Sequence, residues 1–135
     1  MAEKTYEIPD DCRYTRSDEW VHLDGTIGRI GITDYAQSEL SDIVFVELPD
    51  VGTQVEVGEA FGVVESVKAV NDLISPVSGE IVDVHQSLAD HPEWVNEDPY
   101  GRGWIVAIAP DDLDEVDALL SPEEYAAFVE ERASR

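Results

Sequence analysis

The chain has 135 residues, and its 31 aspartates and glutamates outnumber 8 lysines and arginines to give a formal charge of −23. That balance disfavours unaided binding to nucleic acid and repels an anionic membrane surface. No apolar run approaches the roughly 18 residues that span a bilayer, and Met1 to Asp10 lacks the basic and apolar regions of a secretory signal, so a soluble, cytoplasmic protein is expected.

Hydrophobic residues make up 43% of the chain, which is globular usage and is enough for a single core at this length. The expectation is a tail over 1–13, which contains Lys4, followed by one domain over 14–135. The acidic residues are scattered along the whole length, a pattern of adaptation to a salt-rich cytoplasm. The lone Cys12 cannot form an internal disulfide and reads as an ordinary free thiol.

Val21, Leu23, Ile27, Ile30 and Ile32 flank Asp24-Gly25, a dipeptide suited to a tight hairpin turn, so two strands are expected there. Thr33 can cap a short helix through about Leu40. Strands then follow over 43–48, 54–57, 61–67, 69–74 and 80–84, separated by the turn formers Pro49-Asp50, Gly52, Gly58, Pro76 and Gly79. Short strands at this spacing predict a mainly antiparallel β fold, a flattened barrel or sandwich with a short internal helix. Residues 85–103 read as an irregular loop, and Trp104 to Ile108 as a closing strand. Beyond Pro110 the period changes: Leu113, Val116, Leu119 and Leu120, then Tyr125, Phe128 and Val129, recur at helical spacing and predict C-terminal helices over about 111–132. Ser121, Pro122 and Glu124 form a capping-box start.

Only two lysines occur, Lys4 and Lys68. Lys68 stands between the strand ending Val63-Val64-Glu65-Ser66-Val67 and the one beginning Ala69-Val70-Asn71-Asp72-Leu73, so a tight turn there projects its amine outward. A projecting amine can be acylated, which removes its charge and adds a flexible arm to a rigid mount. His22, His85 and His91 have no metal-ligand spacing with Cys12 or with one another, and no metal site is expected. Trp20, Trp94 and Trp104 read as core or loop anchors.

The segments on either side, Gly52-Thr53-Gln54-Val55-Glu56-Val57-Gly58-Glu59 and Ser75-Pro76-Val77-Ser78-Gly79-Glu80-Ile81-Val82, resemble the lipoyl and biotinyl carrier domains, whose modified lysine sits on a hairpin between two similar halves. Gly31-Ile32-Thr33-Asp34, Val44-Phe45-Val46-Glu47-Leu48-Pro49 and Gly62-Val63-Val64-Glu65-Ser66-Val67-Lys68-Ala69 narrow this. Together with Ser75 to Glu80 they make the chain similar to the glycine cleavage H proteins from about Tyr14 to Phe128.

The resemblance implies a barrel-sandwich hybrid fold and a carrier, not an enzyme, with lipoate joined by an amide to Lys68. It implies passage of an aminomethyl group from a pyridoxal-phosphate glycine decarboxylase to an aminomethyltransferase, then reoxidation by dihydrolipoamide dehydrogenase. It further implies a lipoate-attaching enzyme that recognises Glu65, and a cleft lined by Ser17, Glu19 and Asp72 that shelters the loaded arm of a monomer. Glu39 stands where some relatives carry histidine, so no imidazole role transfers to it. A biotin carrier usually flanks its lysine with methionines, whereas Val67 and Ala69 stand here. A 2-oxoacid dehydrogenase lipoyl domain commonly shows Asp before the lysine and continues into linkers. An H-like lipoate relay, an unmodified acidic interaction protein and a Schiff-base enzyme using Lys68 are the other readings, and the last needs a desolvated amine that an exposed tip does not provide.

Self-repulsion of so acidic a surface is relieved by screening. The melting temperature is expected to rise steeply with added KCl in a thermal unfolding series; indifference to salt overturns the reading of high-salt adaptation.

Overall fold

Alternation of apolar and polar residues lays down most of this chain as short strands, and a computed structural model describes residues 5–133 of it. Lys4 and the other terminal residues of 1–4 and 134–135 lie outside the described residues. The strands are β1 (Arg13–Tyr14), β2 (Glu19–Asp24), β3 (Ile27–Ile32), β4 (Ile43–Glu47), β5 (Gln54–Val55), β6 (Ala60–Ser66), β7 (Val70–Ile74), β8 (Gly79–Val84) and β9 (Val106–Pro110). They pair antiparallel in a six-stranded sheet of order β1-β2-β3-β9-β8-β5 and a three-stranded sheet of order β4-β6-β7.

Side chains from the two sheets meet in one core: Val21, Ile30, Ile81 and Ile108 from the larger sheet, and Val46, Val64 and Leu73 from the smaller, are all buried. This is the sandwich expected from the strand spacing. In the β2–β3 hairpin Asp24 pairs with Ile27, leaving Gly25 and Thr26 as the loop. Gly25 takes φ +67°, a backbone region that only glycine enters at no steric cost.

Helix α1 (Asp34–Leu40) starts where Thr33 Oγ1 accepts the Ala36 N–H at 3.1 Å. The expected loop 85–103 is corrected in part, because it contains a 3-10 turn over Gln86–Ala89 and α2 (Trp94–Glu97). Its polar residues supply turns, while Leu88 and Val95 point into the core and are fully buried. The C-terminal part divides into α3 (Asp114–Asp117) and α4 (Pro122–Ala133), because between them Leu120 pairs with Tyr14, backbone to backbone, at 3.0 and 2.9 Å. At the start of α4 the Ser121 Oγ accepts the Glu124 N–H and the Glu124 carboxylate accepts the Ser121 N–H, the reciprocal capping box anticipated there.

The expected tail over 1–13 is also corrected where it is described. Glu7 N–H donates to Asp34 at 2.9 Å, the Tyr14 hydroxyl donates to the Pro9 carbonyl at 2.6 Å, and the Tyr100 hydroxyl donates to the Glu7 carbonyl at 2.7 Å. Tyr6 packs edge-on against Tyr35 with ring centroids 5.0 Å apart. This stretch covers a second, aromatic cluster of Tyr14, Trp20, Tyr35 and Tyr125, against which α4 packs. Trp20 is fully buried and its indole N–H donates to the Pro99 carbonyl at 3.0 Å.

Gly62 lets β6 approach β4 closely: a Cβ there would lie 2.5 Å from the Glu47 carbonyl oxygen. Gly62→Ala is expected to lower unfolding stability by about 1–3 kcal/mol through overpacking, measured by urea denaturation; an unchanged midpoint overturns this account of the β4–β6 contact.

Candidate functional site: a lysine hairpin beside an acidic cleft

Pairing of β6 with β7 runs through Val63↔Asp72 and Val64↔Asn71 to Glu65↔Val70, leaving residues 66–69 as the tip. Ser66 shapes that tip. Its N–H donates to the Ala69 carbonyl at 2.8 Å, and its hydroxyl accepts the N–H groups of Lys68 and Ala69 at 3.3 and 3.1 Å. A serine side chain thus satisfies backbone donors that a four-residue turn leaves over. The Val67 N–H donates to the Asp42 carbonyl at 3.1 Å, tying the tip to the segment before β4. Lys68 is exposed at the end of this mount, and among the described residues no ion pair engages its ammonium.

On the β7 side lies a cleft of about 240 Å³, walled by the β1–β2 connection, α1, β7 and Arg132. Asn71, on its wall, is three residues from Lys68, or about 10 Å along an extended strand. Ser17, Glu19 and Asp72 all line the cleft, and so does Glu39 from α1. Glu65 lies elsewhere: it alternates with the buried Val64, so its side chain faces away from the core, and it is not part of the cleft wall.

Glu19 is the buried charge of the site, only 2% exposed. One carboxylate oxygen accepts from the hydroxyls of Thr15 (2.7 Å) and Ser17, and the other accepts the Ile74 N–H at 3.2 Å. Burial pushes the Glu19 carboxyl above the ordinary carboxylate range, while the three hydrogen bonds pull the other way.

Next to it, Asp18 takes φ +75°, a left-handed conformation that aspartate tolerates better than most residues. Its carboxylate accepts from both terminal nitrogens of Arg132 and from the Tyr125 hydroxyl at 2.9 Å. The Arg132 guanidinium also lies 4.5 Å over the Tyr35 ring and 4.3 Å over that of Phe128. Arg132 gives its terminal nitrogens to Asp18, while its Nε is buried without a partner; the other polar groups on the wall are mostly acidic, from Glu19, Asp72 and Glu39, beside the Asn71 amide. Such a cleft suits a guest that ends in a positively charged, hydrogen-donating group.

Ser66, Asp18 and Arg132 escaped the sequence reading. The hydroxyl two residues before a turn lysine was a usable signal for Ser66; nothing local marks an arginine in the last turn of α4 as the partner of an aspartate at position 18.

The β1–β2 register also brings Cys12 opposite His22, and with Asp11 their donor atoms all lie within 4.8 Å of one another. Sequence spacing did not show this cluster. Burial, followed by the Asp11 charge, pushes the Cys12 thiol up to about 12, which keeps it in the protonated form rather than the thiolate that binds metals.

A two-sheet antiparallel sandwich with a lysine at a hairpin tip defines a lipoyl-type carrier domain. The glycine cleavage H-protein family model matches residues 12–132. Among curated relatives, the glycine cleavage system H protein of Geobacillus kaustophilus is 55% identical over 91% of this chain and 97% of its own length. That of Rubrobacter xylanophilus is 58% identical over 93% and 97%. A probable glycine cleavage system H protein of Haloarcula marismortui is 52% identical over 93% of this chain and 99% of its own. The crystal structure of a glycine cleavage system H protein from Mycobacterium marinum superposes with a TM-score of 0.82 at 44% identity, covering 89% of this chain and 97% of that one. The chain belongs to the glycine cleavage H-protein family.

Because burial raises the Glu19 carboxyl, the folded state holds its proton more tightly than the unfolded chain does. Stability from this group is full below the unfolded value of about 4.3 and is lost as pH rises through the higher folded value. In a pH series the unfolding free energy of the wild type, taken relative to Glu19→Gln, is expected to fall across that window and stay level above it. A difference that rises with pH overturns the assignment.

Proposed function

We propose that this chain is the lipoyl-carrying component of a glycine cleavage system, with lipoate joined by an amide to Lys68 Nζ. The single observation that carries the reading is an exposed, unpaired lysine on a hairpin tip that Ser66 holds in shape, within strand reach of an acidic cleft. The residues present fit such a group: the tip leaves the amine open to solvent, and no element described here covers it. When bound, lipoate supplies a disulfide that opens and recloses by thiol–disulfide exchange.

The chain's own part is to mount, shelter and release. Ser66 fixes the direction in which Lys68 leaves the sheet. Ser17 and Asp72 offer oxygen acceptors to an ammonium group carried into the cleft, and the hydrogen-bonded Glu19 carboxylate adds negative charge behind them. Glu65, on the outward face of β6, serves recognition by the lipoate-attaching enzyme. The domain acts as a monomeric, non-enzymatic carrier in the cytoplasm, visited in turn by glycine decarboxylase, aminomethyltransferase and dihydrolipoamide dehydrogenase. Among the described residues no helix is long and apolar enough to cross a membrane.

Intact mass of the protein from its native host, followed by peptide mapping, is expected to show a lipoyl increment on Lys68, and Lys68→Arg is expected to abolish it with an unchanged circular dichroism spectrum. A biotinyl increment moves the reading to carboxylation, and a lysine that stays unmodified even with a lipoate ligase overturns it.

A further inference from the structure

The outer face of the three-stranded sheet presents an apolar surface beside the lysine tip. Eight large hydrophobic side chains are exposed among the described residues, and four of them sit at this end of the sheet: Val44 (53% exposed), Phe45 (47%), Val67 (67%) and Val70 (65%). Their proximity follows from register. Phe45 pairs with Glu65, and Glu65 pairs with Val70, so the three side chains form one row across β4, β6 and β7, with neighbouring Cβ atoms about 4.5–5.5 Å apart. Val67 and Lys68 follow directly at the tip.

We propose that this row is the docking surface for the enzyme that acylates Lys68, seated by apolar contact on Phe45, Val67 and Val70 around Glu65. The inference rests on the carrier reading above. Two observations select this occupant. First, any protein that acylates the Lys68 amine has to close over the tip, and Val67 and Val70 flank that amine on both sides. Second, a surface of −23 attracts every cationic protein without distinction and is screened in salt, so short-range apolar contact is what remains to select one partner. In the transfer, an acyl adenylate is the activated donor. Nζ gives up one ammonium proton to solvent before it attacks, the Nζ–acyl carbon bond forms, the bond from that carbon to the phosphate oxygen breaks, and the second nitrogen proton leaves with or beside the departing adenylate.

The test is acylation of the full chain by a lipoate–protein ligase with lipoate and ATP, followed by mass spectrometry. The double variant Phe45→Thr/Val70→Thr keeps strand-favouring residues, and Val57→Thr removes an equally exposed side chain (53%) at the far end of the hairpin, where its N–H bonds Ser78. The expected result is a fall of tenfold or more in kcat/KM for the double variant and none for Val57→Thr. Modification of Lys68 by a small amine-reactive ester is expected to proceed equally in all three proteins. Equal enzymatic acylation of the double variant and wild type overturns the docking surface and leaves the carrier reading standing. A slower reaction of the double variant with the small ester assigns the defect to the tip itself and overturns the surface too. A wild type that the ligase leaves unmodified overturns the carrier reading, and this inference with it.

Discussion

A buried carboxylate joins the two sheets where the cleft opens. Glu19 belongs to β2 of the six-stranded sheet, and it accepts the backbone N–H of Ile74 from β7, the edge of the three-stranded sheet. The bond satisfies a backbone donor on that edge and fixes the spacing between sheets at the base of the lysine hairpin. It stands because Thr15 and Ser17 hold the other oxygen and offset the desolvation of the charge. The same atoms that tie the halves together therefore form the floor of the cleft.

Around that carboxylate the chain closes a second loop of interactions. Arg132 reaches from α4 to Asp18, and Tyr125 bridges Asp18 and Thr33, the capping residue of α1. Two walls of the cleft are thus referenced to one helix at the end of the chain. The pair is mostly shielded from solvent, with 25% and 17% side-chain exposure for Arg132 and Asp18, and contacts with the Tyr35 and Phe128 rings hold the guanidinium against the aromatic cluster.

The sequence carried the strands and the lysine tip because these features are local. Alternation over five or six residues, punctuated by Gly25, Gly52, Gly58 and Gly79, sets each strand, and the break between Ser66 and Val70 places Lys68. The grouping of Ser17, Glu19 and Asp72 came from resemblance, and the cleft does bring them together. What local patterns could not carry were contacts between distant segments. Asp18 and Arg132 stand 114 positions apart, and the partial burial of Tyr6 and Ile8 depends on an aromatic cluster assembled from β1, β2, α1 and α4. Residues 85–103 misled for a different reason. Their prolines and aspartates mark turns correctly, but Leu88 and Val95 are too widely spaced to register as a periodic core face.

The chain's cations divide by chemistry. Every arginine described is occupied: Arg13 at the carbonyls of Asp117 and Leu119, Arg16 over Phe128, Arg29 over Trp104, Arg102 over Trp94, and Arg132 on Asp18. Structural duties thus fall to a group that stays charged and does not act as a nucleophile. Among the described residues a single side-chain amine, Lys68, is left. An acylating enzyme meets one side-chain amine among them, so selectivity for position is written into the inventory of those residues before any recognition takes place.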